Sequence, residues 1–288
     1  MDYEKKYEDY IAKIDEALTY YIPNIPVAQA ELFDAIHYSL FPGGKRIRPV
    51  LFMEVYRVLG GAPEEAMAFP AAIEMIHTYS LIHDDLPSMD DDEVRRGRPT
   101  SHMIFGEATA LLAGDALLNA AFETITDEEN ISHLDPARVL RAVHAIAWAS
   151  GAYGMAGGQM LDLNFNAFGS SIKELTAIHR LKTGALISSA AASAAALAGA
   201  SEAESDAVIS FAQNIGLAFQ IMDDLLDFGE QPADGGTSPE PSFVALLGPE
   251  DCKRAVDHLT EQAKRDLAGL SDTGFLLWIS DYLSKRTH

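Results

Sequence analysis

Apolar residues recur at three- and four-residue spacing along most of the chain. The pattern predicts helices over Glu31–Leu40, Val50–Leu59, Ala66–His83, Glu107–Ile125, Ala137–Ala149, Ile172–Ala198, Ala203–Phe228 and Pro249–Ala268. Runs of alternating β-branched residues, the mark of half-buried strands, are nearly absent. Breaks fall at Pro42-Gly43-Gly44, Gly60-Gly61-Ala62-Pro63, Gly97-Arg98-Pro99, Gly157-Gly158 and Gly229–Pro241. No Pro/Ser-rich linker divides the 288 residues, and no fixed-period repeat is visible. The expectation is an all-α fold, a single domain over residues 1–288, whose bundle interior can hold polar sites. Gly184–Ala200 is apolar but rich in Ala and Ser and short for a bilayer, so it reads as a tightly packed buried helix rather than an integral membrane segment.

Composition narrows the function. Hydrophobic residues make up 48% of the chain, enough for a large core. The formal charge is −22, from 43 acidic and 21 basic residues, which argues against nucleic acid and anionic membranes as partners. Cys252 is the only cysteine, so no intrachain disulfide can form, which fits a reducing cytoplasm. Met1–Tyr10 is charged and lacks the apolar core of a secretory signal.

Two acidic clusters stand out. Asp84-Asp85 with Asp90, and Asp223-Asp224 with Asp227, each follow an apolar helical run, roughly 140 positions apart. At an effective dielectric near 20, two like charges about 5 Å apart cost about 3 kcal/mol. Carboxylates at a helix C-terminus also oppose its dipole. Such clusters call for cations. Hard oxygen donors without Cys suit Mg2+, which binds through one or two carboxylates plus substrate phosphates. Asp223 and Asp227 are four apart and share a helical face. The reading requires both clusters to serve one diphosphate.

Basic residues complete the picture. Arg95 and Arg96 follow the first cluster, planar donors suited to phosphate. Gly43-Gly44-Lys45-Arg46-Ile47-Arg48-Pro49 is a glycine-permitted turn that delivers three cations; alone it is a weak anion signal and lacks the P-loop spacing. Lys182 puts one cation into an Ala-rich segment, where a buried functional role outweighs a snorkelling surface lysine. His77 by itself reads as a core histidine. Gln159 and Asp162 either polarise a substrate or cap helix contacts.

Together these segments resemble the short-chain isoprenyl diphosphate synthases, the trans-prenyltransferase family. The resemblance rests on FPGGKRIRP (Phe41–Pro49), EMIHTYSLIHDDLPSMDDDEVRRGRPTSH (Glu74–His102), FGEATALLAGDALL (Phe105–Leu118), GGQMLDL (Gly157–Leu163), LKTGALI (Leu181–Ile187) and FQIMDDLLDF (Phe219–Phe228), in the family's order. It implies an isoprenoid-synthase-type helical bundle around a deep central cavity, usually homodimeric. The implied reaction adds isopentenyl diphosphate head to tail to an allylic diphosphate. In that reading Asp84, Asp90 and Asp223, supported by Asp85, Asp224 and Asp227, hold magnesium, three ions with bound diphosphate. Arg95, Lys182, Thr183 and Gln220 hold the allylic diphosphate or the developing cation. Lys45, Arg48, His77 and Arg96 take isopentenyl diphosphate.

Tyr79 lies five residues before Asp84, about 7 Å along a helix axis. With Ser80 beside it, the resemblance makes it the plug that limits chain length, and farnesyl diphosphate the expected product; geranyl and geranylgeranyl diphosphate are the alternatives. One departure stands out. Thr183 through Cys252 contains no Lys, Arg or His. Similar synthases carry lysines in the loop corresponding to Gly229–Pro241, which is shorter here and has Glu240 near one of those positions. A carboxylate cannot replace a cation beside diphosphate, so weaker closure, or a weakly active regulatory subunit, is the competing expectation.

Overall fold

This computed structural model describes residues 2–164, 171–230 and 242–285. Its helices follow the apolar spacing closely. In chain order they are α1 (Tyr3–Tyr21), α2 (Ala30–Leu40), α3 (Ile47–Val58), α4 (Ala68–Asp84), α5 (Ser101–Phe105), α6 (Glu107–Thr126), α7 (Glu128–Ile131), α8 (Pro136–Ser150), α9 (Met155–Leu163), α10 (Ile172–His179), α11 (Ala185–Ala198), α12 (Glu202–Glu230), α13 (Phe243–Leu247), α14 (Pro249–Asp266) and α15 (Gly274–Ser284). Among the described residues the only sheet is a hairpin of β1 (Val94–Arg95) and β2 (Arg98–Pro99). The all-α expectation holds.

Residue contacts divide the chain into two compact units, Met1–Met53 with Ala62–Val143 and Glu54–Gly61 with His144–His288. In the first unit α4 is buried over Ala71, Ile73, Met75 and Ile76 and packs against α6 through Ala110, Ala113, Leu117 and Ala121. Phe52 stacks on Phe69, ring centroids 5.7 Å apart, below them in the same core. α4 stops at Asp84 because Pro87 follows, and a proline cannot continue the backbone ladder. α1 starts at an N-cap, Asp2, whose carboxylate accepts from Lys5 N–H at 3.1 Å. Its buried residues Tyr7, Tyr10, Ile14 and Leu18 recur every three or four positions. The hairpin turns through Arg96 (φ 52°) and Gly97 (φ 73°). Two consecutive left-handed residues match the right-handed twist of short paired strands.

In the second unit α12 packs along α11 and α14. Leu175, Ile178, Ala218, Ile221, Phe243, Val244, Cys252 and Val256 form one buried cluster there. α10 begins with a capping box, Ser171 and Glu174 each satisfying the other's backbone N–H. The sequence pattern predicts one helix over Ile172–Ala198; the structure interrupts it with a π-helical turn at Arg180–Gly184. By length and composition Ile172–Ala198 could cross a membrane, yet 56% of its apolar window is buried inside the protein.

That π turn is where α9 comes closest. A Cβ built on Gly158 would lie 2.1 Å from the backbone nitrogen of Lys182. No backbone can yield by that much without separating the two helices. Gly158→Ala should therefore destabilise the protein by about 2–3 kcal/mol or more, measured by urea unfolding against wild type.

Candidate active site

The end of α4 gathers the first acidic group. Asp84 is partly buried and closes the helix, while Asp90 is exposed in the following turn. The backbone N–H of Asp90 donates to the Asp84 carbonyl at 2.9 Å, which brings the two residues together. Asp85, only 5% exposed, accepts from Arg95 Nε at 2.6 Å. Burial pushes its carboxyl up, and the guanidinium pulls it back part of the way. Arg95 also reaches Asp92 at 3.3 Å, so β1 presents a guanidinium already oriented by two carboxylates.

His77, nearly two helical turns before Asp84, faces cations. Burial lowers its pKa well below the usual histidine value, and Arg48, Arg96, Arg46 and Arg95 lower it further. The imidazole is neutral at pH 7, and Arg48 and Arg96 carry the charge around it. Arg96 Nη1 donates to the Gly43 carbonyl at 2.6 Å, which ties the hairpin to the basic turn. The expected three-cation delivery by that turn is corrected here. Arg46 has its side chain 2% exposed and points inward, bonded to Glu74 at 2.6 Å and to the Leu40 carbonyl at 2.8 Å. Only Lys45 and Arg48 remain partly accessible on that turn.

Tyr79 is half-buried, with its ring edge-on to His83 at 5.6 Å. Burial raises its phenol pKa, and Asp84 raises it further. His83 in turn sits 3.0 Å from the Leu111 carbonyl, over Gly114, where a Cβ would come within 2.2 Å of the ring. Ser80 spends its hydroxyl on its own helix, donating to the His77 carbonyl at 2.9 Å.

In the second unit Asp223 is partly buried and Asp227 exposed, one turn apart on α12. Asp224 accepts from the Phe243 backbone N–H at 2.7 Å and more weakly from Gln220 Nε2 at 3.5 Å. Burial lifts its pKa to about 6 against those two hydrogen bonds. Lys182 and Thr183 lie in the π turn; Lys182 Nζ meets Asp162 at 2.6 Å, which gives Asp162 a pairing role. Gln159 keeps both amide atoms buried without a hydrogen-bond partner. The expected lysine-poor loop with Glu240 falls, over residues 231–241, outside the described residues.

The donors of both clusters are carboxylate oxygens, which fit a hard divalent cation. Among the described residues no three His, Cys, Asp or Glu side chains gather closely enough to hold an ion alone.

Spacing could not reveal the Asp224 bond to Phe243, because its donor is backbone. His179, also unforeseen, lies tilted by 31° against Phe243, ring centroids 5.1 Å apart, and lines an apolar cavity of about 360 Å³. Neither of its ring nitrogens has a partner, and burial depresses its pKa to about 4.

Residues 29–238 match the family model described as polyprenyl synthetase. The chain is 39% identical over 283 residues to the farnesyl diphosphate synthase of Geobacillus stearothermophilus, covering 96% of this chain and 95% of the relative. It is 37% identical to the Escherichia coli farnesyl diphosphate synthase, with 99% of each covered. A solved FPP/GFPP synthase from Zymomonas mobilis superposes with a TM-score of 0.88 at 35% identity, over 98% of this chain and 99% of that one.

The His179 environment sets a pH dependence. An unfolded histidine takes up its proton near pH 6.5, whereas the folded one waits until about pH 4. His179 therefore contributes stability that is present above pH 6.5 and is lost as pH falls to about 4. His179→Phe keeps the ring on Phe243 and removes the proton site. Between pH 7 and pH 4.5 wild type should lose about 2 kcal/mol relative to this variant, read by urea unfolding at both pH values.

Proposed function

The chain belongs to the polyprenyl synthetase family, and we propose that it joins isopentenyl diphosphate head to tail to dimethylallyl or geranyl diphosphate, with farnesyl diphosphate as the main product. The observation that carries this reading is the grouping around the end of α4. Asp84 and Asp90 are bonded through their backbones, Arg95 is held by Asp85, and a neutral His77 stands in the field of Arg48 and Arg96. One end of that site suits a metal-bound diphosphate and the other a second, cation-bound diphosphate.

In the first unit Asp84 and Asp90, supported by Asp85, would hold magnesium; in the second unit Asp223, supported by Asp224 and Asp227, would do the same. Magnesium held there would offset the negative charge that builds on the departing diphosphate. Arg95, beside Asp84 and Asp90, adds fixed positive charge where the allylic C–O bond breaks and its electron pair leaves with diphosphate; in the second unit Lys182 offers a cation of the same use. Lys45, Arg48 and Arg96 anchor isopentenyl diphosphate so that its alkene can form the new carbon–carbon bond. Neutral His77 can donate its one ring N–H there without adding another positive charge. The released diphosphate takes the proton from the new carbon skeleton, so no protein nucleophile is required. Thr183 and Gln220 offer oxygen atoms to the transient cation, and apolar walls exclude water from it.

Incubation with isopentenyl diphosphate, geranyl diphosphate and Mg2+, followed by chain-length analysis, should yield C15 product. Absence of any product from the purified protein would remove the proposal. Tyr79, buried above Asp84, supports the assignment of length. Tyr79→Ala should move most product to C20 or longer with activity retained within about tenfold; an unchanged C15 profile would reject the plug.

We read the protein as a cytoplasmic homodimer. Met103, Ile104, Leu111 and Leu112, on the adjacent α5 and α6, are 50%, 51%, 45% and 56% exposed, a patch suited to a second copy. Leu112→Glu should shift sedimentation from twice 31.2 kDa towards the single chain; an unshifted dimer would place the interface elsewhere.

A further inference from the structure

Helix α1 precedes residues 29–238, the stretch matched by the family model, yet two of its side chains grip the basic turn. Tyr7, 6% exposed, donates its hydroxyl to the Lys45 carbonyl. Asp15 accepts from Arg46 Nε at 3.1 Å. Arg46 is held on its other edges by Glu74 of α4 and by the Leu40 carbonyl at the end of α2. The guanidinium thus joins three helices, and its fork geometry uses each acceptor at a fixed angle.

The backbone gives this clamp its purpose. Arg46 has φ 45°, a left-handed conformation that a long side chain rarely adopts. Lys45 on one side and Arg48 on the other stay partly accessible while Arg46 is buried. A left-handed residue between them reverses the chain direction, so burying Arg46 sets where its neighbours project. The Gly43 carbonyl, held by Arg96, fixes the other end of the same turn.

We propose that α1 is a working part of the isopentenyl diphosphate site: Tyr7 and Asp15 are positioning residues that set Lys45 and Arg48 through the backbone of residues 45 and 46. This rests on the reading of Lys45 and Arg48 as ligands of that diphosphate. A buried ion pair contributes little net stability compared with a well-packed apolar replacement. Its retention here is explained by the geometry it imposes.

The two substrates allow a specific test. Tyr7→Phe removes one hydroxyl and leaves the packing intact. It should raise KM for isopentenyl diphosphate about fivefold, with KM for geranyl diphosphate and kcat within twofold of wild type. Arg46→Met combined with Glu74→Leu removes the buried pair and leaves Asp15, whose side chain is 42% exposed, to solvent; it should raise the same KM tenfold or more at a similar melting temperature. Lys45→Ala serves as the reference. If Lys45→Ala leaves KM for isopentenyl diphosphate unchanged, the diphosphate assignment itself fails. If Lys45→Ala raises it while Tyr7→Phe does not, only the role of α1 is overturned. A rise of both KM values together with a lowered melting temperature in Tyr7→Phe would reduce α1 to a structural support and also overturn the proposal.

Discussion

Repulsion between carboxylates is the constraint around which this molecule is arranged. Asp84 and Asp85 end a helix whose dipole is negative at that point, in a chain already carrying −22. The fold answers by treating the two members of each pair differently. Asp85 is buried and matched by Arg95, and Asp224 is matched by the Phe243 N–H and Gln220. Asp90 and Asp227 are left at the surface, with Asp84 and Asp223 only partly covered. The matched carboxylates Asp85 and Asp224 fix geometry, while the other carboxylates of each cluster are more open to solvent.

The basic side of the site follows the same division of labour. Arg46 is consumed in holding its own turn, and Arg96 is tied to the Gly43 carbonyl by one edge only. A guanidinium has five N–H donors, so a single backbone bond leaves Arg96 able to meet an anion. Burial disfavours a charge on His77, and the positive fields of Arg48, Arg96, Arg46 and Arg95 disfavour it further. A protonated imidazole there would add to the crowding of positive charge; the neutral ring contributes direction without that penalty.

Much of this was legible in the sequence, and the exceptions have physical causes. The long amphipathic helices announce themselves because an apolar stripe every three to four residues has no other stable use. The candidate residues on α4, the hairpin and α12 stand out in the sequence because acidic and basic side chains at apolar helix ends are costly unless matched. α1 is hidden by its charges, since its buried stripe of Tyr7, Tyr10, Ile14, Ala17 and Leu18 is interspersed with lysine, glutamate and aspartate. The inward turn of Arg46 is hidden because residue type does not reveal direction. Phe243 is invisible for a different reason: its contribution to Asp224 comes from the backbone N–H, which every non-proline residue has.

The widened turn at Arg180–Gly184 alters more than local hydrogen bonding. One extra residue in a turn advances the angular phase of everything downstream by about 100°. The apolar stripe before the turn, Leu175 and Ile178, joins the cluster around Phe243. After the turn, Leu186, Ile187, Ala190 and Ala194 are directed by the new phase into their own buried positions. A single continuous apolar stretch thereby serves two differently oriented neighbours, and a deletion of one residue in that turn would rotate one half of the stretch out of register with its partners.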